Sequence, residues 1–163
     1  MIILGIDPGL KVTGYGVVEG ETGDLRLVSC GRFDSSSEAP FPERLHRLYR
    51  ELCQLIEKHC PGCVAIERPF FAKNAQSILM LGEVVGVVIL AAAEKALPVY
   101  EYSPQEIKGA VTGYGRAGKK QVQQMVKALL ALVDVPEPLD AADALAVAIC
   151  HHHAKTLKRK LDR

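Results

Sequence analysis

The chain has 163 residues, with 20 Lys and Arg against 19 Asp and Glu, and 48% of its residues are apolar. That length fits one domain with an ordinary core, and the near-balanced charge neither demands nor excludes a polyanionic partner, so the placement of charge matters more than its sum. Five cysteines argue against a disulfide framework and for a reducing compartment, and no basic leader precedes the first apolar run, so a cytoplasmic location is expected.

The stretch "ILGIDPG" (residues 3–9) opens on a buried strand, Ile2 to Ile6, that stops at Asp7. Pro8 lacks the N–H a ladder needs and Gly9 suits a tight turn. A carboxylate at the end of an apolar strand is costly to bury alone; it must cap a turn, pair with a cation or hold a metal. "KVTGYGVVEG" (11–20) and "LRLVSCGRFD" (25–34) alternate and are separated by turn residues, which predicts an antiparallel three-strand opening. After a loop over 35–43, residues 43–60 place Leu45, Leu48, Leu52, Leu55 and Ile56 at helical spacing. "CPGC" (60–63) reads as ordinary thiols at a helix-to-strand turn, because a strand follows where a redox motif would have a helix. "CVAIERP" (63–69) is a short strand carrying a second carboxylate, Glu67.

A long helix is expected from Asn74 to Ala96; its apolar stretch, residues 78–93, carries Glu83 and falls short of a clean span of about 20 residues, so it is taken as a buried helix of a soluble protein. "LPVYEYS" (97–103) is a strand. Ser103 is placed to cap a helix over 103–113 with Pro104 at its first position. "GYGRAG" (113–118) is a loop, 119–133 a helix, and 138–155 a last helix that takes His151–His153 with it, one ring facing inward. The ten residues from Ala154 hold five basic groups and one acid and are expected to form a flexible arm. The pattern is α/β with the later strands parallel.

Four carboxylates stand out. Asp7 and Glu67 end strands that would finish at one sheet edge if they lie side by side, and Asp140 and Asp143, three apart, share one face of the last helix. Each has a structural reading taken singly: acids suit the first turn of a helix, Asp140 could cap it, and Asp7 could cap a turn. Together they form a cluster that cannot ionise fully without a cation. Hard oxygen donors suit Mg²⁺ or Mn²⁺, and a pair of such ions serves phosphodiester cleavage.

"GIDPGLKVTGYGVV", "AIERPFFAKNAQSILMLGEVVGV" and "DAADALAVAICHH" resemble the RuvC-type Holliday-junction resolvases of bacteria over nearly the whole chain. The resemblance implies a ribonuclease-H-like fold with a mixed five-stranded sheet flanked by helices, as a single nuclease domain over residues 1–153 followed by the basic tail 154–163. It implies a homodimer that nicks four-way DNA junctions symmetrically, leaving 5′-phosphate and 3′-hydroxyl ends, and that works with the RuvA and RuvB branch-migration proteins. Two Mg²⁺ ions, for which Mn²⁺ substitutes, would be held by Asp7, Glu67, Asp140 and Asp143; some relatives carry histidine at the position of Asp140. A related RNA-processing nuclease of the same fold and a non-catalytic junction-binding module are the alternatives, and cleavage with Mg²⁺ against EDTA separates the second.

Contacts to DNA are expected from the segment after Glu67: Phe70, Phe71, Lys73 and Asn74, with Phe70 the ring that stacks on a base by resemblance and Phe71 the one expected in the core. Lys108, Lys119 and Lys120 bracket the glycine-rich loop. Lys108 and Lys119 match basic residues near the family's active site. The dimer is expected on the long helix, apolar nearly all round; Val85→Glu or Val88→Glu should give monomer if their face is the outer one.

Overall fold

The computed structural model describes residues 1–21, 24–34, 38–68 and 74–161. Strands β1 (Ile2–Asp7), β2 (Val12–Gly20) and β3 (Leu25–Asp34) pair antiparallel; β4 (Cys63–Glu67) lies parallel to β1, and β5 (Val99–Tyr102) parallel to β4. The sheet order is β3-β2-β1-β4-β5, a mixed five-stranded sheet. On one face lie α1 (Phe41–His59) and α2 (Ala75–Glu94); on the other lie α3 (Pro104–Thr112), α4 (Lys119–Leu129) and α5 (Leu139–Leu161).

Strand parity divides the core. Side chains alternate across a strand, so Leu4, Ile6, Val64 and Ile66 pack toward α1 and α2, while Ile3, Cys63 and Ala65 pack toward α3–α5. Asp7 continues the second series in β1, and Glu67 continues it in β4. The register pairs Ile6 with Ile66, so one further step sets the two carboxylates at neighbouring strand ends on the α5 side. The expected convergence of Asp7 and Glu67 therefore follows from parallel pairing and from counting by twos.

Helix α5 lies unusually close to the sheet because glycines clear its path. A Cβ at Gly5 would fall on the carbonyl oxygen of Ala144, and one at Gly14 on the carbonyl oxygen of Asp140. With Ala141, Ala142, Ala144, Ala146 and Ala148 all fully or almost fully buried, the helix presents a small-residue face that settles over β1 and β2.

Element ends follow local chemistry with a few departures. Ser103 caps α3 in a reciprocal pair with Glu106: the Glu106 N–H donates to Ser103 Oγ at 3.3 Å and the Ser103 N–H donates to Glu106 Oε2 at 2.8 Å. Asn74 caps α2, accepting from the Ser77 N–H at 2.9 Å. Helix α4 stops at Leu129, short of the expected 133, because Ala131 adopts a left-handed conformation with φ 50° and Pro136 follows soon after. Helix α5 runs to Leu161, so the stretch from Ala154 expected to be a loose arm is helical through that residue. All five cysteines are free.

His151 and His152 are both buried, two rings inward where one was expected, while His153 bonds the Ala110 carbonyl through Nδ1 at 3.0 Å. His151 Nδ1 meets the Tyr102 hydroxyl at 2.7 Å and its ring lies 4.3 Å from that of Tyr100. Burial, with Lys155 and His152 nearby, pushes the imidazole down to about 4. A histidine held neutral by the fold but protonated near 6.5 when unfolded contributes stability that is fully present above pH 6.5 and lost as pH falls toward 4. The acid-side fall in melting temperature between those limits should be shallower in His151→Gln than in the wild type; identical slopes would rule this source out.

Candidate active site

At the β1/β4 edge a cleft of about 260 Å³ is lined by Asp7, Glu67 and Asp143, by Lys108 and Lys119, and by Pro104, Ile107, Val122 and Ala146. Each group arrives on a different element. The two strand ends supply Asp7 and Glu67, the first turns of α5 supply Asp143, α3 carries Lys108, and the first residue of α4 is Lys119. The apolar wall of Ile107, Val122 and Ala146 is nearly or fully buried and lowers the local dielectric, which strengthens every charge interaction in the cleft.

The electrostatics are those of crowded acids. Asp7 is pushed up to about 8, first by burial, then by Glu67, Asp143 and Asp140, with Lys119 pulling the other way. Glu67 is also raised, by burial and then Asp143, against Lys108 and Lys119. Lys119 Nζ lies 2.7 Å from Asp143 Oδ2, and this contact holds the ammonium above its ordinary value. Next to the cleft, Arg68 pairs with Glu101 at 2.7 Å and its N–H extends the ladder to the Tyr102 carbonyl at 2.8 Å, which fixes the chain just after Glu67.

The donor set suits a hard divalent cation: carboxylate oxygens only, one of them on an acid that does not ionise alone at neutral pH. Among the described residues, no three Asp, Glu, His or Cys side chains are spaced to enclose an ion, and Asp143 is paired with Lys119.

Not every residue singled out in the sequence reaches the cleft. Asp140 stands one turn before Asp143, off the lining, though its charge still acts on Asp7. Lys120 is exposed and outside the lining. Asn74 spends its side-chain oxygen on the α2 cap. Phe70, Phe71 and Lys73 lie outside the described residues. Gly14 was missed: it lets the first turn of α5 touch β2, and the signal was there in two glycines, Gly14 and Gly16, alternating inside a strand, which marks a close backbone approach.

Comparison with known proteins fits this geometry. The family model for crossover junction endodeoxyribonuclease RuvC matches residues 3–151. The crossover junction endodeoxyribonuclease RuvC of Pelotomaculum thermopropionicum is 52% identical over 161 residues, covering 99% of this chain and 98% of that protein. The structure of Thermus thermophilus RuvC superposes with a TM-score of 0.89 at 35% identity, covering 97% of each chain. The T. thermophilus RuvC structure in complex with a Holliday junction substrate gives 0.92 at 34% identity, over 97% of this chain and 96% of that one.

Proposed function

Because this chain belongs to the RuvC family of crossover junction endodeoxyribonucleases, we propose that it resolves four-way DNA junctions by paired symmetric nicks, leaving 5′-phosphate and 3′-hydroxyl ends, in recombination and repair. The observation that carries this reading is the convergence of Asp7, Glu67 and Asp143 on one cleft that Lys108 and Lys119 also face. The carboxylates would hold divalent cations, two Mg²⁺ ions with Mn²⁺ as a substitute, with Asp140 helping from the edge. Bound there, such ions supply an activated water and stabilise the departing oxygen of the phosphodiester. Lys108 and Lys119 are cations for the backbone of the bound strand and hold the scissile phosphate at the cleft mouth. The buried apolar wall limits bulk water behind the reacting group. Phe70, by its likeness to the family pattern, stacks on a base near the crossover, with Phe71, Lys73 and Asn74 beside it; Lys120 adds a backbone contact outside the cleft. The nuclease domain spans residues 1–153, with the basic segment after it as an electrostatic extension.

The active form is a homodimer built on α2. This helix is long and apolar enough to cross a membrane, yet Val84, Val88, Ala91 and Ala92 are buried against the domain, which ties one side of it to the core. The other side shows Ile78, Leu79 and Leu90 at 53%, 70% and 54% exposure, and the helix also carries Gly82 and Gly86, where nothing lies within 4 Å of an added Cβ. A second copy of the chain covers such a face at close helix–helix distance. Val88 belongs to the inner side, so the condition set on the Val85 and Val88 face fails for Val88; Val85 is half-buried. Leu90→Glu should therefore give a folded monomer by sedimentation at micromolar concentration, and a wild type that is itself monomeric there would refute the interface. The dimer works in the cytoplasm with the RuvA and RuvB branch-migration proteins.

The direct test is cleavage of a labelled synthetic four-way junction beside duplex, flap and RNA controls, in Mg²⁺ and in EDTA. Paired nicks confined to the junction and lost in EDTA are expected. Equal cutting of the RNA control would favour the RNA-processing relative, and binding without cleavage the non-catalytic module.

A further inference from the structure

We propose that Lys119 is a resident counter-ion of the cleft: it holds Asp143 until a divalent cation takes that carboxylate, and the exchange releases its ammonium to the DNA backbone. The inference rests on the reading of the cleft as a divalent-cation site. It adds that cation binding and strand binding are coupled through one side chain, which the cation displaces from Asp143 and the strand takes up.

Three observations carry it. Lys119 Nζ sits 2.7 Å from Asp143 Oδ2, a charge-assisted contact on the carboxylate that completes the acidic lining. Lysine is also poorly placed where it stands. It is the first residue of α4, whose Gly118 cap offers no side-chain acceptor, and a cation at a helix N-terminus faces the positive end of the dipole. The carboxylate offsets that penalty, and so would a phosphate. Lastly, Lys108 lines the same cleft with no ion pair among the described residues, so the pairing is particular to Lys119 and not a general consequence of acids near lysines.

The exchange is favourable in both directions of assembly. One ammonium brings a single charge to one carboxylate, whereas a divalent ion brings two charges that several carboxylates can share. Asp143 then no longer needs Lys119, and the side chain, 58% exposed, is free to turn to solvent and to a phosphate. A phosphate that captures Lys119 first frees Asp143 in turn. By linkage, divalent cation and junction strengthen each other's binding by the same factor, and Lys119 is the residue through which the factor passes.

The test uses the full-length protein with Mn²⁺ alone, then with Ca²⁺ and an uncut four-way junction. Lys119→Met should bind Mn²⁺ about tenfold more tightly than the wild type by calorimetry, because the competing ammonium is gone. Lys108→Met, which removes the same charge from the same cleft without an ion pair, should change that affinity by only about twofold. Ca²⁺ should tighten junction binding by the wild type more than by Lys119→Met, measured by gel shift at fixed ionic strength. Unchanged or weaker Mn²⁺ binding by Lys119→Met, or equal gains in the two variants, would overturn the exchange while leaving the cleft as a cation site. A wild type that binds no Mn²⁺, or binds it equally well as Asp7→Asn, would overturn the reading of the cleft and the exchange with it.

Discussion

Asp7→Asn is expected to abolish strand cleavage, by about a thousandfold or more, and in the same protein to raise the melting temperature when no divalent cation is present. The first effect follows from the proposed chemistry: asparagine keeps the shape of the side chain and removes the central negative donor of the cleft. The second follows from its electrostatics. The fold pushes Asp7 up to about 8 from 3.8, chiefly by burying it and then by crowding it with Glu67, Asp143 and Asp140. An acid whose folded value lies above its unfolded value contributes stability that is fully present below the unfolded value and lost as pH rises through the folded one. In EDTA the wild type should therefore weaken between about pH 4 and pH 8, by something on the order of a few kcal/mol, while the neutral variant does not. Divalent cation should reverse the order, raising the melting temperature of the wild type and leaving the variant nearly unmoved. Junction binding should survive, since Asp7 is not a phosphate contact and its loss reduces repulsion of the backbone. The measurements are melting curves from pH 5 to 8.5 with EDTA or Mg²⁺, beside cleavage and gel-shift assays. Near-normal cleavage in Mg²⁺, or a variant that melts below the wild type in EDTA at pH 8, would contradict the assignment.

The carboxylates were legible in the sequence because burial and charge conflict there in plain view. Ile2 to Ile6 and Val64 to Ile66 are apolar runs that end in an acid, and parallel pairing of two such strands brings Asp7 and Glu67 to one sheet edge. Asp143 was legible for a related reason: the helix around it is too apolar for an acid without a purpose. What sequence could not show is distance. Asp140 and Asp143 share a helix face, yet only Asp143 lines the cleft, because α5 comes down on β2 at Gly14 and seats Asp140 against that strand. Nor does a lysine beside a glycine-rich loop announce that it bonds an acid in another helix. Other features failed for local reasons. The end of α4 rests on a left-handed alanine, Ala131, where a glycine would have marked it. The inner side of α2 stayed open in the sequence because the helix is apolar nearly all round, so no polar stripe distinguishes Val88 from Leu90. The length of α5 was underread because the charge after Ala154 was weighed as a sign of disorder, although Lys, Leu and Arg are good helix formers and no Gly or Pro interrupts them.

Gly14→Ala tests whether this architecture, and not merely the presence of four acids, makes the site. A Cβ at Gly14 would fall on the backbone oxygen of Asp140 and crowd its carbonyl carbon. Backbone cannot step aside as the end of a long side chain can, so either β2 bends or the first turn of α5 lifts. The rest of α5 is locked over the sheet by fully buried Leu145, Val147 and Ile149, whereas the first turn holds only the small buried side chains of Ala141 and Ala142 beside the exposed Leu139, and is the end more easily lifted. It should be the part that moves, and it carries Asp140 directly and Asp143 one turn later. Small-to-large changes in packed regions cost about 1–3 kcal/mol, so the variant should still fold at room temperature with a lower melting point. Catalysis is less forgiving: misplacing a reacting group by about 1 Å can cost on the order of a hundredfold. Cleavage should therefore fall by about that factor while junction affinity, which draws on surface cations away from Gly14, stays within about threefold. Gly62→Ala is the comparison, since its Cβ would come nearest to the Met1 side chain, at 3.3 Å and 3.7 Å, and the Ile2 oxygen at 3.7 Å; it should cleave normally. The decisive quantity is the cleavage rate measured well below either variant's melting temperature. If Gly14→Ala melts early yet cleaves at the wild-type rate, the first turn of α5 tolerates displacement, and the close seating of α5 on β2 serves stability alone.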